Sequence, residues 1–275
     1  MNYLYDLKNS KIGIVGCGHL GQAITESLIN HGFSKHNIFI SYRGNPATYK
    51  HLEKLGLASC ISENEQIFTE VDLIFITVRP QDVIHLKNIP VSKNIRIISC
   101  VAGLTTQMLK KIFNRETFRM MVSGPDTLVS EKGVAAIYPY NRFVSNLISQ
   151  MSLTLFKLSN ENDLNMFTAG VCLPAALLQE DNDKNIHDAV NELEKDYAWF
   201  LELYTWSKGV IPVLATERER EKNEYIAKMV TEGGVTEAII NSLKDGELFI
   251  TALRRGMNRS QEISKEIGHL INLTM

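Results

Sequence analysis

The chain has 275 residues, enough for one large domain or two of moderate size with a proper core. Its hydrophobic fraction of 44% and charged fraction of 22% are those of a soluble globular protein, and a net charge of −2 leaves no global basic field for nucleic acid or an anionic membrane. No run approaches the ~18 apolar residues of a membrane helix, and Met1–Lys8 has no apolar core behind a basic start, so a cytoplasmic protein without a signal peptide is expected.

The chain opens with a short apolar strand, Ile12–Val15, then a glycine-rich turn and a helix over Gln22–Asn30. A strand at Asn37–Ser41 and a helix at Ala47–Leu55 follow. Apolar strands at Asp72–Val78 and Ile95–Val101, a helix at Leu104–Phe113 and a strand at Phe118–Val122 continue the alternation. Apolar runs without polar interleaving suit strands covered on both faces, and strand–helix alternation predicts a parallel sheet with right-handed crossovers. Ala135–Tyr138 and Leu153–Leu158, with a helix between them, extend the sheet to its far edge.

After about residue 158 the strand signals stop. Asp163–Leu178, Ile186–Trp206, Glu217–Met229 and Thr236–Arg255 read as helices, and Asn258–Leu270 continues the last. The expected organisation is a Rossmann-type α/β domain over 1–158 and an all-α domain over 159–275. Ala198, Leu201, Leu203 and Trp206 exceed what one helix needs for its own small domain, which points to an oligomer interface, although packing within one chain accounts for them nearly as well. The four cysteines, Cys17, Cys60, Cys100 and Cys172, show neither CxxC nor metal-ligand spacing, so reduced buried thiols are expected and no metal.

The chemistry concentrates in Gly16-Cys17-Gly18-His19-Leu20-Gly21. Gly16 permits a tight turn off the strand, Gly18 lets a pyrophosphate approach the backbone, and Gly21 lets the helix pack closely on the sheet. The helix start then offers free N–H groups and its dipole to the phosphates. A dinucleotide site that prefers NAD places an acid about 20 residues further on. Here the strand ends in Ser41-Tyr42-Arg43-Gly44-Asn45 without one, and Ser41, Arg43 and Asn45 suit a 2′-phosphate, so NADP is the expected cofactor. No Ser-His-Asp arrangement and no HExxH is present.

This set, with Ile76-Thr77-Val78-Arg79-Pro80-Gln81, Ala102-Gly103 and Glu232-Gly233-Gly234-Val235-Thr236, resembles the pyrroline-5-carboxylate reductases over nearly the whole chain. The Gly-Gly-x-Thr segment opening a helix, followed by Leu243, Gly246 and Arg259-Ser260-Gln261-Glu262, resembles that family's dimerisation domain. The resemblance implies NAD(P)H-dependent reduction of the cyclic imine 1-pyrroline-5-carboxylate to proline, in a dimer or larger homo-oligomer. It implies that Gly16, Gly18, His19, Leu20 and Gly21 hold the pyrophosphate, that Ser41 and Arg43 face the 2′-phosphate, and that Asn64 lies beside the adenosine. Thr77, Val78, Arg79 and Pro80 would lie under the cofactor, and Ala102 and Gly103 near the nicotinamide. Thr236 would bond the substrate ring nitrogen, facing the partner chain's nicotinamide, while the N–H groups of Gly233, Gly234, Val235 and Thr236 receive the substrate carboxylate.

Three departures from the family stand out. Its Pro-Asn-Thr-Pro loop is Val122-Ser123-Gly124-Pro125-Asp126-Thr127 here, its Ser-Gly-Ser-Gly-Pro-Ala-Tyr is Gly170-Val171-Cys172-Leu173-Pro174-Ala175-Ala176, and its Ser-Pro-Gly-Gly carries Glu232 for proline. Glu232 is expected either to cap the helix-start N–H groups or repel a substrate carboxylate, or to turn outward into solvent. The alternatives to the family reaction are reduction of another small imine or carbonyl compound, and a catalytically silent NADP-binding regulatory protein.

Overall fold

A computed structural model of the chain describes residues 7–214 and 218–273. Met1–Asp6, and Glu217 at the expected start of a helix, lie outside the described residues. Seven strands form one sheet: β1 Ile12–Val15, β2 Ile38–Ser41, β3 Leu73–Ile76, β4 Arg96–Ser99, β5 Thr117–Val122, β6 Val134–Tyr138 and β7 Thr154–Phe156, in the order β2-β1-β3-β4-β5-β6-β7. All neighbours are parallel except β5 and β6. Strand order reverses direction between β1 and β3, and ligands of such open sheets bind beyond the carboxyl ends of the strands at that switch point. Register makes those ends level: Val15 lies opposite both Ser41 and Ile76, so Gly16, Tyr42 and Thr77 leave the sheet side by side.

Helices α1 His19–Asn30, α2 Pro46–Lys54, α3 Asn64–Glu70, α4 Thr106–Phe113, α5 Pro125–Val129 and α6 Arg142–Gln150 connect the strands. Alternate strand residues feed two cores. Ile14, Phe75 and Ile98 pack on Ile24 and Leu28 of α1 and on Leu147 of α6. Val15, Ile74, Ile76 and Ile97 pack on Phe68 of α3 and Leu109 of α4. β1 and β3 are buried at every residue, as unbroken apolar runs require.

The remaining described helices are α7 Asp163–Gly170, α8 Leu173–Gln179, α9 Asp183–Asp196, α10 Phe200–Val210, α11 Glu219–Met229, α12 Val235–Lys244 and α13 Phe249–Leu273. The second of the two cores continues into them without interruption, through Phe167, Phe200, Ile239, Phe249 and Ile267. Leu203 is fully buried within the chain, whereas Leu201 is exposed.

Three helix expectations need correction. Asp163–Leu178 is two helices, because Pro174 in the first turn of α8 removes a donor and its ring crowds the carbonyl four residues back. Ile186–Trp206 is also two, starting earlier at an Asn182 cap and breaking at Tyr197–Trp199. The last helix pair breaks at Gly246, whose φ of +79° suits glycine, and not near Gly256. Gly256 lies inside α13, where a Cβ would stand 2.6 Å from the Ile239 side chain, so it is the crossing point of α12 and α13.

A buried ion pair ties the two halves together. Arg119 on β5 is among the largest fully buried side chains, and it donates at 3.1 Å to Glu161, just ahead of α7. Glu161 also accepts from the Thr106 N–H and hydroxyl, both at 2.8 Å, at the start of α4. Burial lowers the Arg119 pKa, and Glu161 opposes that shift. None of the described helices is long and apolar enough to cross a membrane.

Candidate functional site

The glycine turn is fixed from three sides. Gly16 has φ +90°, and a Cβ there would lie 2.8 Å from the Val78 amide nitrogen, so no other residue fits. The Gly16 and Cys17 N–H groups donate to the Ser41 carbonyl, and Gln22 donates to the Cys17 carbonyl. The Thr77 hydroxyl donates to the Gly16 carbonyl at 2.9 Å and sits where a Gly21 Cβ would touch it. Thr77 therefore shapes the turn.

Gly18 differs from both. A Cβ there meets nothing within 4 Å, so the backbone faces an open cradle. Gly18 is the N-cap of α1, no side chain caps that end, and the first turn holds no acid. An anion can therefore reach donors that the chain leaves available. His19 is exposed at this rim and Leu20 half-buried. An open groove of about 640 Å³ runs from His19 and Gln22 past Asn45 and Thr48 to Asp126 and Lys228.

At the end of β2, the Ser41 hydroxyl donates to the Asn64 side chain at 2.6 Å, which brings these two expected residues together. Asn45 is taken up in capping α2, accepting from the Ala47 and Thr48 N–H groups. Arg43 is exposed and ion-paired with Asp82, a residue the sequence reading did not single out. Asp82 lies in the 3₁₀ turns Pro80–Leu86 after β3, which Arg79 and Pro80 introduce. At the far end, Gly103 has φ +74°, and a Cβ would lie 2.7 Å from the Ser264 amide nitrogen, so α13 rests directly on the Ala102-Gly103 loop.

The altered loop forms the entry to α5, with Pro125 in its first turn. Ser123 is buried, accepting from Thr127 at 2.7 Å and from the Val134 N–H at 3.0 Å. α11 lies over this loop: Lys228 pairs with Asp126 at 2.7 Å, and the Met229 side chain occupies the space a Gly124 Cβ would need.

Thr236 is buried at the second residue of α12 and donates its hydroxyl to the Cys172 sulfur at 3.2 Å. The Cys172 thiol donates in turn to the Thr168 carbonyl at 3.3 Å. Burial pushes the Cys172 pKa up to about 11, so the thiol stays protonated near neutrality. Tyr225 of α11 packs at the same place, its hydroxyl pKa raised by burial first and by the charge of Asp126 second.

The helix-start donors are partly consumed. The Gly233 N–H donates to Glu237 at 2.8 Å, and the Gly234 N–H to the Thr231 carbonyl at 2.8 Å. Glu232 is exposed, so the carboxylate that takes up a donor of this segment is that of Glu237, on the N–H just ahead of the N-cap Gly234. Arg259 braces the segment, donating to the Gly233 carbonyl at 2.8 Å while pairing with Glu262 and Glu266. Glu237 was within reach of sequence reasoning, since an acid at the third helical position commonly reaches back toward the helix start.

Residues 11–103 match the family described as NADP oxidoreductase coenzyme F420-dependent. Over 272 residues the chain is 26% identical to pyrroline-5-carboxylate reductase 2 of Bacillus subtilis, covering 94% of this chain and 96% of that protein. Along nearly its whole length the chain is thus similar, at low identity, to pyrroline-5-carboxylate reductases. Its fold is similar to a pyrroline-5-carboxylate reductase from Coxiella burnetii, with a TM-score of 0.58 and 23% identity over 93% of this chain and 98% of that one. It is similar also to the Plasmodium falciparum pyrroline carboxylate reductase with NADP bound, with a TM-score of 0.57 and 18% identity over 94% and 99%. The match of residues 11–103 to an NADP oxidoreductase family agrees with the NADP expected from the acid-free end of β2.

Proposed function

We propose that the chain reduces 1-pyrroline-5-carboxylate, or a closely similar cyclic imine, to the saturated amine with NADPH. The observation that carries this reading is the uncapped α1 terminus with its open Gly18 cradle at the β1–β3 switch point, in a chain related to imine reductases along its length. Bound there, the reduced nicotinamide supplies a hydride to the electrophilic C=N carbon. The first-turn N–H groups of α1 hold the pyrophosphate. Ser41 and Arg43 take the adenosine side, and Ala102 and Gly103 shape the nicotinamide end.

On the substrate side the hydroxyl orientation of Thr236 matters. Its proton points at the Cys172 sulfur, which leaves an oxygen lone pair to accept the N–H of a protonated imine. The Val235 and Thr236 N–H groups at the start of α12 receive a carboxylate. Catalysis on this reading rests on orientation and charge placement, with no covalent intermediate. Self-association through the helical half, in a dimer or larger assembly, belongs to the same reading. It is supported by the exposed Leu201, Leu248 and Leu270. There Thr236 would meet the partner's nicotinamide.

The carboxylate of Glu237 on the Gly233 N–H favours a second substrate class, small imines or carbonyl compounds that need fewer carboxylate contacts. NADPH consumption with pyrroline-5-carboxylate, beside a panel of cyclic imines with and without a carboxylate, tests both. Turnover restricted to carboxylate-free imines rejects the first substrate, and no turnover with any compound, by a protein that binds NADPH, rejects the enzyme reading.

A further inference from the structure

The end of β2 lacks the acid that would read the adenosine ribose, yet an acid reaches that place from the other side of the switch point. Asp82 follows β3, and its carboxylate contacts the Arg43 guanidinium beyond β2. The two side chains differ in freedom. Asp82 is 13% exposed and Arg43 66%. The Asp82 N–H donates to the Arg79 carbonyl at 2.9 Å, and buried Val83 and Leu86 anchor the same 3₁₀ turns. Arg43 stands instead on an open loop, beside a Gly44 with φ +75° and nothing near its Cβ position. The carboxylate is thus the fixed member and the guanidinium the movable one.

Resting on the reading of the Gly16–Gly21 turn as the nucleotide site, we propose that Asp82 is a specificity-determining residue that narrows the preference for NADPH. A 2′-phosphate bound to Arg43 must either displace the Asp82 carboxylate or lie close to it with a like charge. NADH, whose ribose carries hydroxyls, meets no such repulsion, and a carboxylate accepts from a ribose hydroxyl. Arg43 and Asp82 together therefore act as a balanced pair, one residue favouring each nucleotide.

Fluorescence titration of the intact protein with NADPH and with NADH reads this without turnover. Asp82→Asn should tighten NADPH about three- to fivefold, in line with the worth of one exposed charge contact, and leave NADH unchanged or weaker. Asp82→Ser serves as the second variant, and a thermal melt of each checks the fold. Arg43→Ala should weaken NADPH. Weaker NADPH binding by both Asp82 variants would overturn the proposal and make Asp82 a support that orients Arg43. An unmoved NADPH-to-NADH ratio in a protein that binds both nucleotides would overturn it alone. Failure of the unmodified protein to bind either nucleotide would overturn the nucleotide reading and the proposal with it.

Discussion

The Thr236 hydroxyl and the Cys172 thiol form a relay, 3.2 Å from oxygen to sulfur, that ends on the Thr168 carbonyl. Each group in it has one direction to donate, so the Thr236 lone pairs are left facing away from the sulfur. Cys172→Ala should let the hydroxyl rotate and lower kcat roughly two- to tenfold, the worth of one hydrogen bond of about 0.5–1.5 kcal/mol. Cys172→Ser, which both donates and accepts, should restore most of it. Steady-state kinetics with Thr236→Ala as the reference decides the matter, and an unchanged kcat in Cys172→Ala would show that the relay is idle.

Glu237 closes one of the four N–H groups expected to receive a substrate carboxylate. Glu237→Ala should lower KM for a carboxylate-bearing imine severalfold and lower stability by about 0.5–1.5 kcal/mol through the lost hydrogen bond. Glu232→Ala should change neither, since that side chain is exposed. A KM shift in Glu232→Ala and none in Glu237→Ala would contradict the assignment.

The first two glycines of the Gly16–Gly21 turn should separate binding from folding. Gly18→Val fills an open cradle and should abolish NADPH binding with little change in Tm. Gly16→Ala forces a side chain into left-handed backbone against Val78, and should lower Tm as well. Melting curves with and without nucleotide distinguish them; a Gly18→Val protein still stabilised by NADPH would move the phosphates elsewhere.

Glu161→Ala should be severely destabilising, by about 3–5 kcal/mol, because it leaves the buried Arg119 charge without a partner. Arg119→Met with Glu161→Gln should recover much of that loss. Urea denaturation of the single and double variants gives the comparison, and additive losses would mean the pair is not coupled.

Alkaline stability follows from the buried thiols. Burial raises Cys172 to about 11 and Cys17 to about 12, against an ordinary value of 9.0. The unfolded chain loses these protons first, so the stability they confer is intact below about pH 9 and is lost as pH rises through 11 to 12. Urea midpoints should fall from pH 9 upward, and less steeply in Cys172→Ser. A midpoint that rises over this range would reverse the sign of the argument.

Much of the α/β half was legible because Ile12–Val15 and Leu73–Ile76 are unbroken apolar runs, and such runs have few alternatives to a covered strand. Helix α3 was missed because Asn64–Glu70 is short and mostly polar, with only Ile67 and Phe68 buried. Gly246 and Gly256 show the limit of local reading. One is a turn and the other a helix crossing, and only the Ile239 side chain against Gly256 tells them apart. The Arg43–Asp82 contact needed the register of β1 with β2 and β3, which no local pattern contains.

The backbone contact between Gly103 and Ser264 has a consequence for how the chain comes apart. The Ala102-Gly103 loop resting on the last helix, over a core that runs without a seam from Val15 to Ile271, leaves no place to cut the chain into two self-sufficient pieces. A fragment ending after β7 would expose the underside of the Ala102-Gly103 loop. Such a chain should melt in one cooperative step, and nucleotide binding should protect the C-terminal helix from proteases as strongly as it protects the glycine turn.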